Sequence, residues 1–128
     1  MSILLSFVIE GKPRTKKNSG RIFTNGRRPR ILPSAAFAEW NAIAQPQLAK
    51  VRSESKVPLP IACDVNVRAL FIRDRKVGDA VNYYEALADA LEEGGILVND
   101  VQIKQWDGTR LLADKMNPRV IVTIEECR

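Results

Sequence analysis

The stretch from Asp74 to Ile103 constrains this chain most: D-R-K-V-G-D-A-V-N-Y-Y-E-A-L-A-D-A-L-E-E-G-G-I-L-V-N-D-V-Q-I. It opens polar and basic, becomes periodic, and stops at two adjacent glycines. Gly78-Asp79 is a helix start signal, with Asp79 as the N-cap for the amides that follow. Val81, Tyr84, Leu87, Ala88 and Leu91 recur at helical spacing and predict the buried stripe. Gly94 or Gly95 supplies the left-handed residue that ends the helix. The helix is thus about 14 residues, or about 21 Å, long. Asn82, Glu85 and Asp89 fall within about 60° of one another on the opposite face. Acids on such a face are ordinarily just solvated. If the chain folds back after the glycines, however, Ile96-Leu97-Val98 returns as a short buried segment. It then carries Asp100 toward Asp79. Carboxylates held close together need a proton or a metal cation to coexist. On spacing alone, a plain cap and a plain turn acid account for the same residues.

The 128 residues predict one domain with a real core. No apolar run approaches the roughly 20 residues needed to span a bilayer. Met1 to Glu10 has no basic leader and reads as a strand, so a soluble, cytoplasmic protein without a membrane partner is expected. Cys63 and Cys127 are expected as free thiols and are too few for a Cys-rich zinc site. The chain contains no histidine, which excludes Ser-His-Asp, Cys-His and His general-base chemistry.

The net charge of +5 is unevenly distributed. Residues 1–30 hold eight Lys and Arg against Glu10 alone, a net +7, whereas the rest is net −2 with 12 basic and 14 acidic residues. A basic arm on a near-neutral body points to a polyanionic partner. Thr15, Asn18, Ser19, Thr24 and Asn25 lie among the cations and also donate to phosphates.

In order, Ile3–Glu10 predicts a strand with Leu5, Phe7 and Ile9 on one face, and residues 12–20 a loop. Arg21–Thr24 and Arg27–Leu32 predict a basic hairpin around Asn25-Gly26. Ser34 caps a helix that Pro46 kinks or interrupts and that resumes to about Arg52, with Phe37, Trp40 and Ile43 at core spacing. Residues 61–71 alternate as a half-buried strand. Residues 101–104 suggest a helical turn, 106–112 a strand bulged at Gly108, and 119–126 the last strand. The fold class is α+β: a mixed sheet with two main helices and a basic N-terminal loop or hairpin.

Beyond these patterns, the chain resembles the RusA family of Holliday junction resolvases over most of its length. The first strand followed by G-K-P-R-T-K-K-N looks like that family's strand and basic loop. D-x-x-N-x-x-x-A-L-x-D-A-L followed by G-x-L-x-N-D-x-Q-I looks like its signature. The resemblance implies a homodimer that binds four-way DNA junctions and makes paired symmetric nicks with Mg²⁺, Mn²⁺ serving as a substitute. Asp79 and Asp100 match the acids before and after the helix, and Asn82 and Asp89 match its Asn and later acid. The family's second metal-binding Asp falls on Val81, its Lys on Glu85, and the first of its D-D pair on Asn99. A rearranged set is therefore expected, with Asp79, Glu85 and Asp100 as catalytic metal ligands and Asp89 as ligand or orienter. Lys76 or Arg75 would stabilise transition-state charge. Lys12, Arg14, Lys16, Lys17, Arg21, Arg27, Arg28, Arg73, Arg75 and Lys76 would hold DNA phosphates. Residues 61–71 or the first helix would form the dimer interface. Two other classes stay open: a non-catalytic DNA-binding relative, which binds junctions without Mg²⁺-dependent nicking, and a small basic RNA-binding protein, for which Asp79 and Asp100 are dispensable.

Overall fold

A computed structural model describes residues 2–15, 35–127 and, as backbone only, 21–24 and 29–32. The strands are β1 (Ile3–Glu10), β2 (Arg21–Thr24), β3 (Pro29–Leu32), β4 (Val65–Arg73), β5 (Ile103–Gln105), β6 (Arg110–Ala113) and β7 (Arg119–Glu126). The helices are α1 (Ala35–Glu54) and α2 (Ala80–Glu93), with a 3₁₀ turn at Asp100–Gln102. The main sheet runs β1-β7-β4, antiparallel at each step. The far edge of β4 is shared by β5 and β6, both parallel to it, so the sheet is mixed. β2 and β3 pair separately, Arg21 opposite Leu32 and Thr24 opposite Pro29. Lys16, Lys17, Arg27 and Arg28, the Asn25-Gly26 turn and the Ser34 cap lie outside the described residues.

The core follows from strand alternation. Val65, Val67, Ala69 and Phe71 of β4 and Val120, Val122 and Ile124 of β7 share one face and are at most 2% exposed. Both helices pack on that face through Phe37, Trp40, Ala44 and Leu48 of α1 and Tyr83, Ala86, Leu87, Ala90 and Leu91 of α2. Burying each large apolar side chain contributes about 1.5–3 kcal/mol. Gly94, at the end of α2, has no room for a side chain: a Cβ there would stand 2.9 Å from Leu48 Cδ1. Gly95, at φ +72°, is the left-handed residue that turns the chain back.

Several expectations are corrected. The strand predicted at 61–71 begins at Val65 and is central, buried on both faces over Val65–Val67. As the middle strand of the sheet it has no free edge along which a second copy could pair. α1 runs through Pro46 without interruption. Ile43 is 49% exposed, and the buried α1 positions continue through Ala44 and Leu48 instead. Residues 106–109 form a turn around Gly108 at φ +86°, closed by Thr109 N–H donating to the Trp106 carbonyl at 3.1 Å, and the strand starts only at Arg110.

The stripe on α2 is also rotated. Val81 is 60% exposed, while Asn82, expected outside with Glu85 and Asp89, is buried at 6%. Leu87, Ala88 and Leu91 are buried as expected; with Asn82, Tyr83, Ala86 and Ala90 they form a stripe centred on positions 83, 86, 87, 90 and 91, an i, i+3, i+4, i+7, i+8 set. Two of these are alanines, whose small size lets α2 approach its neighbours closely but gives a weak apolar signal in sequence.

Candidate functional site

The site is built around the two ends of α2. At its start, β4 delivers Arg73 and Asp74 into a loop that ends at Gly78, φ +90°. A Cβ on Gly78 would stand 2.9 Å from Thr15 Cγ2, so Thr15 lies directly against this turn. Arg14 fixes the contact: its Nη1 donates to Asp74 Oδ1 at 2.9 Å and its Nη2 to Oδ2 at 3.4 Å. The hydrogen bond and charge of Arg14 hold the Asp74 carboxyl below its ordinary range. The Tyr83 hydroxyl donates to the Val77 carbonyl at 2.6 Å, and burial pushes its pKa up.

Arg73 was expected at DNA phosphates, and the structure turns it inward. It is 8% exposed, its Nε donates to the Leu112 carbonyl at 3.1 Å and its Nη1 to the Val77 carbonyl at 3.4 Å. Among the described residues, the cations exposed around this turn are Lys12, Arg75 and Lys76. Arg14 and Arg75 line a pocket of about 180 Å³ together with Thr15, Ala36, Val77, Gly78 and Tyr83.

At the other end, the return past Gly95 is held by backbone and side-chain bonds. Ile61 N–H donates to the Ile96 carbonyl at 2.8 Å, and Ile61 and Leu97 form a parallel bridge. Asn99 caps the 3₁₀ turn: its Oδ1 accepts from Val101 N–H at 2.9 Å, and Gln102 Oε1 accepts from Asn99 N–H at 2.8 Å. Gln102 Nε2 donates to the carbonyls of Ile61 and Cys63 at 2.7 and 2.9 Å, and Glu92 Oε1 accepts from Asp100 N–H at 2.8 Å. The amide at position 99, where the resemblance places an acid, thus serves as a cap.

Asp100 is thereby set against α2. A groove of about 210 Å³ is lined by Val81, Tyr84, Glu85 and Ala88 of α2, by Asp100, and by Ile103 and Trp106. Val81, Glu85 and Ala88 are one helical face at i, i+4 and i+7. Asp100 therefore shares a groove with both helix positions at which the chain departs from the resolvase motif, Val81 and Glu85.

The expected ligand set is only partly gathered. Glu85 and Asp100 line the groove, whereas Asp79 and Asp89 lie outside its lining. Asp79 occupies the N-cap position, at φ −86° and ψ 148°, but its side chain makes no cap bond, which corrects the plain-cap reading. Its backbone carbonyl accepts the amides of Asn82 and Tyr83 instead. About 9 Å of helix rise separates Asp79 from Glu85. Among the described residues no group of three or more His, Cys, Asp or Glu stands within metal-holding range. Two carboxylates in one open groove suit a hard cation that keeps several of its waters, as Mg²⁺ does. Sequence reasoning missed Trp106 as a groove residue, because nothing in local spacing shows that it stacks on Tyr84.

No protein-family model matches the chain, and no curated protein matches it. The likeness to the junction resolvases rests on the motif residues alone.

Proposed function

We propose that the chain is a Mg²⁺-dependent, structure-specific endodeoxyribonuclease of the RusA type, nicking four-way DNA junctions symmetrically as a homodimer. The observation that carries this reading is the groove shared by Asp100, Glu85 and Val81. The sequence suggests a return toward Asp79; Asp100 instead lines a groove with the helix positions on which the motif's second Asp and its Lys fall. A supporting observation is the docking of the basic loop, through Arg14 and Asp74, against the turn that starts the same helix.

Glu85 and Asp100 would hold the cation, with water filling the rest of its coordination sphere; Asp79, outside the groove, is not one of its ligands in this arrangement. A bound Mg²⁺ supplies Lewis-acid activation of the phosphodiester and of the attacking water. The chain itself positions the strand. Lys12, Arg75 and Lys76 hold phosphates, which gives affinity and salt dependence with little sequence preference. Two-fold symmetry of the dimer would present two sites to two strands.

A cleavage assay on four-way junction, fork and duplex tests the proposal, using wild type, Glu85→Gln and Asp100→Asn with and without Mg²⁺. Nicking that requires the cation and both carboxylates is expected on the junction. The 60% exposure of Val81, an apolar residue where the motif has an acid, favours a second reading, a DNA-binding relative without catalysis. Tight junction binding with no nicking in Mg²⁺ or Mn²⁺ would establish it.

A further inference from the structure

Three aromatic rings form a ladder from the core to the groove. Phe71, 2% exposed, lies 6.0 Å from the Tyr84 ring at an interplanar angle of 24°. Tyr84 in turn stacks on Trp106 at 4.6 Å and 15°. Tyr84 and Trp106 are half-buried and both line the groove of Glu85 and Asp100. Trp106 sits where β5 gives way to the turn closed by Thr109, so its backbone is held as well as its ring. The result is a rigid indole wall with an apolar rim of Val81, Ala88 and Ile103.

We propose that Trp106 is the stacking platform for one unpaired nucleobase of the DNA strand held at this groove, a role that rests on the nuclease reading. The size selects the occupant. About 210 Å³ is below the roughly 300–1,000 Å³ of sites for drug-sized ligands, and admits one planar heterocycle without its sugar and phosphate. Charge selects the class. Arg75 lines the pocket beside Gly78, three residues before Val81, and Lys76 next to it is exposed, so an anionic backbone following α2 toward its start reaches cations that the Arg14–Asp74 pair does not neutralise. A nucleic-acid strand offers that combination of neutral planar base and charged backbone; an apolar side chain from a second copy does not. Stacking on an aromatic face tolerates any base. It also requires a base that is free of its duplex neighbours, which a branch point supplies and an intact helix does not. The platform therefore selects branched DNA over duplex and brings the adjoining phosphate beside Glu85 and Asp100.

The test separates stacking from cutting. Trp40→Phe leaves Trp106 as the one tryptophan of the chain, since the sequence has two. This variant is titrated, in buffer with Ca²⁺ in place of Mg²⁺ so that the carboxylates are screened, with a short oligothymidylate and with a blunt duplex of equal length. Quenching of Trp106 emission by the single strand, well beyond that by the duplex, is expected. In case the Trp40 variant does not fold, wild-type protein is titrated into a four-way junction carrying 2-aminopurine at the branch point, whose emission should be quenched on binding. Trp106→Ala should weaken single-strand binding about 5- to 100-fold, and Trp106→Phe should restore most of it. Unchanged Trp106 emission at saturating oligonucleotide, or wild-type affinity in Trp106→Ala, would overturn the proposal. So would emission that responds to protein dilution and not to DNA, which would seat a second copy in the groove. Quenching without any nicking in Mg²⁺ would remove the nuclease reading and keep the platform; nicking without quenching would do the reverse.

Discussion

Glu85 and Asp100 line one groove although the rest of α2, two glycines and the return over residues 96–99 separate them along the chain. Neither is buried, and under the proposed function both give their carboxylates to one ion. Glu85→Gln and Asp100→Asn should therefore change stability by less than about 0.5 kcal/mol. Mg²⁺-dependent nicking should fall by about 100-fold or more in each, read from single-turnover cleavage beside urea unfolding. Val81→Asp adds a third carboxylate to the same groove and should tighten Mn²⁺ binding about tenfold or more, measured by calorimetry.

The Arg14–Asp74 pair ties the basic loop to the end of β4, with its side chains 24% and 16% exposed. The folded Asp74 carboxyl titrates below its ordinary value near 3.8, chiefly through the Arg14 hydrogen bond. Its contribution is present above that ordinary value and is lost as pH falls through the lower, folded one. Asp74→Asn should cost about 1–2 kcal/mol at neutral pH. The difference from wild type should shrink as the pH is lowered below about 4, followed by urea unfolding across that range.

Tyr83 predicts the opposite pH limit. Burial raises its pKa above the ordinary 10.0, so the folded state favours the neutral phenol that donates to Val77. The stabilisation is complete below pH 10 and is lost as pH rises through the folded value. Tyr83→Phe should cost about 1 kcal/mol at neutral pH and should flatten the alkaline fall in melting temperature.

On the face of the sheet away from the helices, buried Asn66 donates to Glu125 Oε1 at 3.0 Å and to the Asp107 carbonyl at 3.2 Å, and accepts from Asp107 N–H at 2.8 Å. Asn66→Leu leaves the Glu125 carboxylate, 8% exposed, without that donor and should cost about 2–3 kcal/mol. Adding Glu125→Leu should recover most of the loss, because the unpaired polar group goes with it. A double-mutant cycle in urea measures the coupling.

The end strands and α2 were legible because their signals are local. Ile3–Glu10, Arg119–Glu126 and the Asp79-to-Gly95 bounds of the helix match the structure closely. What was misjudged involves a third party. Arg73 reads as a phosphate cation until the Leu112 and Val77 carbonyls claim it. The strand at 61–71 reads as half-buried until β5, β6 and β7 flank it.

Sequence alone determined the α+β class, the helix flanked by acids, the exclusion of histidine chemistry and the basic bias of the first 30 residues. These follow from residue identity and spacing, which act over one or two turns. Tertiary structure alone decided which face of α2 is buried, which carboxylates share a groove, and that an indole stacks beside them. Those outcomes depend on how closely separate elements approach, and here that approach is set by small residues such as Ala86, Ala90 and Gly94, which leave little mark in a hydrophobic pattern.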